Sequence, residues 1–208
     1  MEMSLNLKYK EIIGILKKGG VGVMPTDTLY GLVGSAFSEK AIKWIYKVKG
    51  REKGKKLIVL ISKISDLKKF GISDSLIRAN EGILQKVWPH AAKAMRGKPE
   101  PVSIILNNIA FRLPNKKSLI EILKKTGPLV APSANPSGLA PAKNIKEAQK
   151  YFSDKVDFYL AGGTLKSKPS TLIKIPARQF RGGNKKPEIE VLRGSLTRPL
   201  FNDIIQGR

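Results

Sequence analysis

The residues best suited to chemistry lie within residues 21–62, in two polar loops that one predicted helix joins. The first loop follows a short apolar strand and carries two hydroxyls and a carboxylate, at Thr26, Asp27 and Thr28. The second loop follows the helix, which ends near Lys49, and carries the further cations Arg51, Lys53, Lys55 and Lys56. If both loops face one pocket, that pocket suits an anionic, polar ligand, because cations and hydroxyls bind phosphate and carboxylate oxygens. The alternative is a solvated basic loop, which is common between a helix and a strand.

Further polar residues lie beside apolar runs later in the chain. Arg112 lies within AFRLP, where its planar guanidinium suits a carboxylate or a phosphate. Ser133 and Asn135 lie in PSANPSG after a predicted strand, Ser170 lies in PST, and Arg193 lies in EVLRG. Each also has a structural interpretation, either an edge-strand arginine that points to water or an ordinary turn of serine, asparagine and glycine.

The residue types exclude several kinds of site. The sequence has no cysteine, which excludes disulfide bonds and thiolate metal sites. Its single histidine, His90, belongs to no triad-like motif, so we do not expect a histidine-activated serine nucleophile. With one histidine and no cysteine, the sequence also predicts no protein-held metal ion.

The charge balance is the most unusual feature of the composition. The 208 residues include 39 lysines and arginines against 16 aspartates and glutamates, a formal net charge of +23. Such a charge favours polyanionic partners such as nucleotides, nucleic acid or an anionic membrane surface. The alternative is a generally basic surface, because the lysines are spread along the whole chain. No segment is apolar enough for a signal peptide or a membrane span, which predicts a cytoplasmic protein with no membrane partner.

Hydrophobic periodicity predicts an α/β fold with a twisted mixed sheet, because helices and strands alternate in the first half and strands dominate the end. Predicted helices cover residues 7–16, 38–49, 62–70, 73–88, 118–125, 145–152 and 195–205. Predicted strands cover residues 21–24, 57–61, 102–106, 109–113, 129–131, 156–160, 171–175 and 189–192. Ser38 and Asn144 are expected to cap the helices that follow them. The length suits one domain over residues 1–208.

Five short motifs occur in a fixed order along the chain. They are PTDTLYGL with the following KVKGREKGK, then AFRLP, PSAN, PST and EVLRG. In this order they resemble the YrdC/TsaC family of threonylcarbamoyl-adenylate synthases, over nearly the whole chain. The resemblance implies a single YrdC-like domain, in which a mixed sheet and helices surround a deep cationic cavity.

The resemblance also implies an activity. Family members are nucleotidyltransferases that convert L-threonine, bicarbonate or CO2, and ATP into threonylcarbamoyl-adenylate and pyrophosphate. The product then serves the threonylcarbamoyl modification of the tRNA adenosine next to the anticodon, through downstream transferase proteins. ATP is a substrate and is expected to bring Mg²⁺ with it, held mainly by phosphate oxygens and water.

Site residues follow from the resemblance, position by position. The implied catalytic residues are Lys49 and Arg51. The implied contacts to L-threonine come from Thr28, Arg112 and Ser170. The implied contacts to ATP come from Arg51, Lys55, Ser133, Asn135 and Arg193.

The sequence departs from the family pattern at several places. A cation-rich insertion near residues 90–101 follows Trp88, and we expect it to form a mobile loop at the mouth of the cavity. Lys56 replaces a common proline, and Asn108 replaces a threonine that is frequent near ATP. Leu60 lies where some members have a histidine that contacts threonine, and Gly194 lies where a proline is usual.

Two alternatives remain open from the sequence. The basic surface could bind double-stranded RNA or tRNA in a non-catalytic protein, through phosphate and 2′-hydroxyl contacts. A carbamoyl-adenylate activity, as in the hydrogenase-maturation relatives of the domain, is less favoured because the chain lacks acylphosphatase and zinc-finger segments. Pyrophosphate release that needs threonine and bicarbonate together would distinguish a synthase from a binding protein.

Overall fold

A mixed β-sheet with helices on both faces forms the framework of the protein. The computed structural model describes residues 2–88, 100–175, 189–196 and 200. The α-helices are α1 (Glu2–Lys17), α2 (Glu39–Lys49), α3 (Asp74–Ala79), α4 (Glu81–Val87), α5 (Lys117–Thr126) and α6 (Ile145–Phe152). The strands are β1 (Val21–Pro25), β2 (Tyr30–Ser35), β3 (Ile58–Leu60), β4 (Val102–Leu106), β5 (Ile109–Arg112), β6 (Leu129–Val130), β7 (Phe158–Tyr159), β8 (Thr171–Lys174) and β9 (Glu190–Arg193). A 3-10 helix spans Ile64–Phe70.

The strands of the described residues form one sheet, in the order β7-β1-β2-β6-β3-β5-β4-β8-β9. Three pairs are parallel, namely β1 with β7, β3 with β5, and β4 with β8. The other neighbouring pairs are antiparallel. This confirms the predicted α/β class with a mixed sheet.

Two hydrophobic cores pack on opposite faces of this sheet, because neighbouring strand residues point to opposite sides. In β2, Leu32 belongs to the core under helices α2 and α6, whereas Val33 belongs to the core under α1 and α5. The α-helix residues in the first core are Ala41 and Ile45 of α2, Leu84 and Val87 of α4, and Ala148 and Phe152 of α6. Those in the second are Ile12, Leu16, Leu119, Ile122 and Leu123. Helices α2 and α5 therefore expose their polar faces on opposite sides of the protein.

Strand β2 is absent from the sequence prediction, which expected a loop between the first strand and the helix that follows. It pairs with β1 as an antiparallel hairpin, from Val21 opposite Gly34 to Pro25 opposite Tyr30. Its residues are buried on both faces up to Gly34, so no alternation of polar and apolar residues marks it in the sequence. The PTDT residues therefore connect two strands of a hairpin and are held at one end of the sheet.

The predicted helix over residues 73–88 is wrong as a single element, because it divides at Asn80 into α3 and α4. The Asn80 side chain donates a hydrogen bond to the main-chain oxygen of Leu76, at 2.8 Å. Asparagine side chains compete in this way for backbone groups, and they commonly end helices. The main-chain N–H of Leu84 then bonds to the oxygen of Asn80 at 2.9 Å and starts the next helix.

The predicted helix caps are confirmed. Ser38 accepts a hydrogen bond from the N–H of Ala41 at 3.2 Å, and Asn144 accepts one from the N–H of Glu147 at 3.0 Å. Gly50 ends α2 in the left-handed conformation, with φ of 55°, which glycine adopts at low cost. The chain can therefore turn directly from α2 into the basic loop.

Two predicted segments lie largely outside the described residues, namely the insertion near residues 90–101 and the helix over residues 195–205. Their predicted conformations stay predictions. Among the described residues, no helix combines the length and the apolar character needed to cross a membrane.

Candidate functional site

A cavity of about 380 Å³ gathers six of the nine predicted site residues. These six residues are Thr28, Arg51, Lys55, Ser133, Ser170 and Arg193. They come from the β1–β2 loop, the basic loop after α2, the loop after β6, the start of β8 and the end of β9. These six residues supply three cations and three hydroxyls, and Lys56 and Thr26 line the same cavity. Its volume lies within the usual range of small-molecule sites.

The hairpin loop holds its hydroxyls through short-range hydrogen bonds. The Thr26 hydroxyl donates to the main-chain oxygen of Leu29 at 2.7 Å and accepts from the N–H of Thr28 and of Leu29, at 3.2 Å each. The Thr28 hydroxyl lies 3.3 Å from that of Thr26, and both residues are buried. These bonds fix the local conformation of the loop, and Thr28 lines the cavity.

The basic loop is folded back on itself by Arg51. Its Nε donates to the main-chain oxygen of Lys55 at 3.1 Å, and its Nη2 donates to that of Lys56 at 3.0 Å. Lys55 forms an exposed ion pair with Glu52 at 3.0 Å, which is a weak interaction at a surface. Both cations line the cavity, so an anionic ligand could attract Lys55 away from Glu52 at little cost.

Lys49 does not line the cavity but contacts the loop that carries Ser133. Its side chain is 2% exposed, and its Nζ donates to the main-chain oxygens of Ser133 and Asn135, at 2.5 Å each. The amide oxygen of Asn135 is a third acceptor, at 3.4 Å. Desolvation by burial, with a smaller effect from Arg51, lowers the pKa of Lys49 to about 8. The predicted catalytic role of Lys49 stays a prediction, and the geometry shows contacts to the PSAN loop only.

Asn135 uses its side chain within the same loop. Its Oδ1 accepts from the Ser133 hydroxyl at 2.6 Å, and its Nδ2 donates to the main-chain oxygens of Pro136 and Leu139, at 2.9 and 2.6 Å. These bonds hold the loop that carries Ser133. A direct contact of Asn135 to ATP stays a prediction, because its side-chain atoms already have partners.

Arg112 forms a buried ion pair with Asp27, which connects β5 to the hairpin loop. Its Nε and Nη2 donate to the two carboxylate oxygens of Asp27, at 3.2 and 2.5 Å. The side chains are 5% and 8% exposed. Its third nitrogen, Nη1, is buried without a hydrogen-bond partner among the described residues. The guanidinium is thus fixed in orientation, and one donor remains for another acceptor.

Two groups from the loop after β5 complete this network. The N–H of Asn115 donates to Asp27 at 3.0 Å, and the ammonium of Lys116 donates to the main-chain oxygens of Pro25 and Thr26, at 3.2 and 3.4 Å. Desolvation lowers the pKa of Lys116, and the nearby Asp27 opposes that shift. The hairpin loop is therefore held from the Arg112 side by three separate residues.

Ser170 and Arg193 meet on the opposite wall. The hydroxyls of Ser170 and Ser103 lie 2.8 Å apart, and Arg193 donates from Nε and Nη2 to the main-chain oxygen of Ser170, at 3.2 and 3.1 Å. Desolvation and then the neighbouring charges of Arg51 and Arg112 lower the pKa of Arg193. Three arginines from distant parts of the chain thus influence one another electrostatically.

Sequence reasoning did not assign Tyr30, Ser103 or Lys116 to the site. Tyr30 is fully buried, and its hydroxyl donates to the oxygen of Gly163 and accepts from the N–H of Gly162, both at 2.8 Å. Ser103 could have been noticed, because it is a hydroxyl within the apolar run VSIIL. Lys116 gives no such signal in a sequence with lysines throughout. No cluster of three or more histidine, aspartate or glutamate residues suitable for a metal occurs in the described part of the chain.

The fold is an α/β domain with a cationic, hydroxyl-rich cavity. The model of the Sua5/YciO/YrdC family, described as "Telomere recombination", matches residues 14–187. The chain therefore belongs to the Sua5/YciO/YrdC family.

Several relatives carry one name. A Methanocaldococcus jannaschii protein, named as a candidate threonylcarbamoyl-AMP synthase, is 32% identical over 80% of this chain and 81% of its own length. The threonylcarbamoyl-AMP synthase of Pyrococcus abyssi is 27% identical over 91% of this chain and 58% of its own length. That of Bacillus subtilis is 28% identical over 94% of this chain and 59% of its own length.

Solved structures share the fold. A double variant of Sua5 from Pyrococcus abyssi superposes with a TM-score of 0.77 at 23% identity, covering 96% of this chain and 60% of that one. The same Sua5 in complex with L-threonine gives a TM-score of 0.69 at 24% identity, over 81% and 51% of the two chains. YciO of Escherichia coli gives a TM-score of 0.65 at 20% identity, covering 89% of this chain and 87% of that one.

Proposed function

We propose that this protein is a threonylcarbamoyl-adenylate synthase, a nucleotidyltransferase that uses L-threonine, bicarbonate or CO2, and ATP. The observation that carries the proposal is the meeting of Arg51, Lys55 and Arg193 with Thr28, Ser133 and Ser170 in one cavity. Relatives named for this activity match the chain over most of its length, which supports the same conclusion.

The proposed reaction brings several anions together. The neutral threonine amine adds to CO2 and releases a proton to water to become a carbamate, and a carbamate oxygen then attacks the α-phosphorus of ATP. The bond from that phosphorus to the bridging oxygen breaks, and pyrophosphate leaves. The main demand is to position the anions and to lower their repulsion, which fixed cations and donors in a partly enclosed site can do. No residue has to form a covalent bond to the substrate.

Threonine would lie between the hairpin loop and β8. The free Nη1 of Arg112 can donate to the substrate carboxylate, because Asp27 holds the guanidinium but leaves that nitrogen without a partner among the described residues. Thr28 and Ser170 supply hydroxyls at the cavity wall for the other polar groups of threonine. A structure of Pyrococcus abyssi Sua5 with L-threonine has the same fold, in agreement with this assignment.

ATP would occupy the side of the cavity with the basic loop. Arg51 and Lys55 would bind phosphate oxygens, the Ser133 hydroxyl oxygen would accept a hydrogen bond from the nucleotide because its proton is donated to Asn135, and Arg193 would balance charge from the opposite wall. Asn135 and Lys49 would act chiefly by holding the loop of Ser133. Mg²⁺ would arrive with the nucleotide and help to neutralise its phosphates.

A non-catalytic RNA-binding protein is not favoured by the same observations. Such a protein would not need the buried hydroxyls of Thr28 and Ser170 beside Arg51 and Arg193 around a cavity of about 380 Å³. We propose that tRNA and a downstream transferase are partners of the product rather than of this cavity.

The test is pyrophosphate release by the purified protein, with ATP, L-threonine and bicarbonate each omitted in turn. We expect release only when all three are present, with threonylcarbamoyl-adenylate detected by mass spectrometry. Carbamoyl phosphate in place of threonine and bicarbonate serves as the control for the carbamoyl-adenylate alternative. Pyrophosphate release that does not require threonine, or that occurs with carbamoyl phosphate in place of threonine and bicarbonate, would contradict the proposal.

A further inference from the structure

Helix α2 carries a row of exposed cations with one tryptophan in the middle. Lys40, Lys43, Trp44 and Lys47 recur at the spacing of one helix face, and all four are exposed. The row extends over about 10 Å of helix axis, from the rise of 1.5 Å per residue. It borders a shallow groove of about 460 Å³, which lies apart from the proposed active site.

Trp44 is exposed but held in place. The residue is 38% exposed, and its indole N–H donates to the main-chain oxygen of Lys155 at 2.8 Å. The ammonium of Lys47 lies 5.1 Å from the centre of the Trp44 ring, within the range of a cation–π interaction. The ring is therefore held in place, with the Lys47 ammonium over one of its faces.

The acidic residues near this row include Glu39 and Asp154, and Asp154 directly precedes Lys155, whose main-chain oxygen accepts from Trp44. Glu39 pairs with Lys43 at 2.7 Å, and both side chains are strongly exposed, so a phosphate could replace the carboxylate at little cost. On helix α6, the Glu147 carboxylate accepts hydrogen bonds from the N–H of Lys143 and the side-chain amide of Asn144, at 2.8 and 2.9 Å. The groove itself is lined by three lysines and one glutamate besides Trp44.

We propose that the Lys40–Lys43–Trp44–Lys47 face of α2 binds an unpaired nucleic-acid strand. The lysines would bind successive phosphates, and one base would stack on the Trp44 ring, as bases do on aromatic residues in single-strand binding proteins. The net charge of +23 gives the protein the matching sign. This inference goes beyond the proposed synthase reaction and does not depend on it.

An anionic membrane fits this face less well. Trp44 is the only large apolar side chain of the row, and its indole N–H is already bonded to Lys155. Membrane-surface helices bury a broad apolar face, whereas the apolar face of α2 packs on the sheet through Ala41 and Ile45. The observations therefore favour a strand with bases over a lipid surface.

Tryptophan fluorescence provides a direct test, because the sequence has two tryptophans and Trp88 is only 1% exposed. The full-length protein is titrated with twelve-nucleotide oligouridylate, oligothymidylate of the same length, heparin, and vesicles with anionic headgroups. We expect both single strands to quench Trp44, whereas heparin binds without comparable quenching. In Trp44→Leu, the quenching should disappear and the affinity for both strands should fall about tenfold, in line with the loss of one stacked base.

A matched pair of charge variants separates this face from general charge. One variant replaces Lys40, Lys43 and Lys47 by glutamine, and the control replaces Lys117, Lys124 and Lys125 on α5, on the opposite side of the sheet. Both lose three positive charges. We expect the plot of log affinity against log salt to become less steep by about 2 in the α2 variant, at roughly 0.7 per lost phosphate contact. In the control, the steepness should stay nearly unchanged.

Three outcomes would overturn the proposal. They are an equal loss of affinity in the two charge variants, wild-type affinity and quenching in Trp44→Leu, or tight binding to vesicles with no binding to either strand. Equal affinity for the two strands would support recognition of the phosphates and one base. Higher affinity for oligouridylate would also support this recognition and would indicate further contacts to the 2′-hydroxyl. Circular dichroism of each variant confirms that the fold is intact.

Discussion

The ammonium of Lys49 lies 2.5 Å from the main-chain oxygen of Ser133, a residue 84 positions further along the chain. The same ammonium bonds to the main-chain oxygen of Asn135 at 2.5 Å. One side chain at the end of α2 therefore sets the position of the loop after β6. Because Ser133 lines the cavity, Lys49 can influence the site without entering it.

We expect Lys49→Met to reduce adenylate formation by about tenfold to a hundredfold, because small displacements of positioning groups have effects of that size. Methionine keeps most of the length of the side chain but leaves the two main-chain oxygens without their donor. The measurement is steady-state pyrophosphate release, with the Michaelis constant for ATP changing more than that for threonine. Wild-type kinetics in this variant would show that the loop keeps its position without Lys49.

The stability of the protein should depend on the titration of Lys49. Its pKa is about 8 in the folded protein against an ordinary value of 10.5, so the unfolded chain binds more protons between these two pH values. Stability therefore rises with pH in that window. We expect the free energy of unfolding to increase by up to about 3 kcal/mol relative to Lys49→Met, at 1.36 kcal/mol per pKa unit. Urea unfolding of both proteins at pH 8 and pH 10.5 measures the difference, and parallel pH profiles would contradict it.

Asp27→Asn should affect threonine more than ATP. The substitution removes the charge that orients Arg112 and leaves a buried guanidinium without its partner. Breaking a buried pair in this way costs about 3 kcal/mol of stability. We expect the Michaelis constant for threonine to rise at least about tenfold, since a fixed guanidinium is needed to bind a carboxylate. If the Michaelis constant for ATP rises more than that for threonine, the assignment of Arg112 to threonine is wrong.

Arg51→Ala and Lys55→Ala should each lower kcat/KM at least about tenfold, the effect of losing one charged hydrogen bond to phosphate. Lys53→Ala is the matched control, because Lys53 lies in the same exposed loop but does not line the cavity. All three variants should keep their thermal stability, since the loop is at the surface. If Lys53→Ala is as defective as the other two, the loop acts through its overall charge, and the assignment of individual phosphate contacts is wrong.

Local sequence patterns were sufficient for much of the fold. The caps at Ser38 and Asn144 and the end of α2 at Gly50 depend on residues within one helical turn, so the sequence alone predicts them. The order of the PTDT, KGR, PSAN and PST motifs likewise indicates the family without any coordinates. Strand β2 could not be found in this way, because it is buried on both faces and lacks an alternating pattern.

The residues of the candidate site are visible in the sequence, but their roles depend on contacts between distant segments. A lysine at the start of a basic segment has the sequence pattern of a surface cation. Only the packing of α2 against the loop after β6 makes Lys49, at the end of that helix, a buried donor. Arg112 reads as one arginine in a strand, and only the sheet brings it to Asp27, 85 positions away. Residue types and spacing thus determined the chemistry available to this protein. The tertiary structure decided which groups face the cavity and which hold it in shape, because burial and long-range hydrogen bonds have no local signal in the chain.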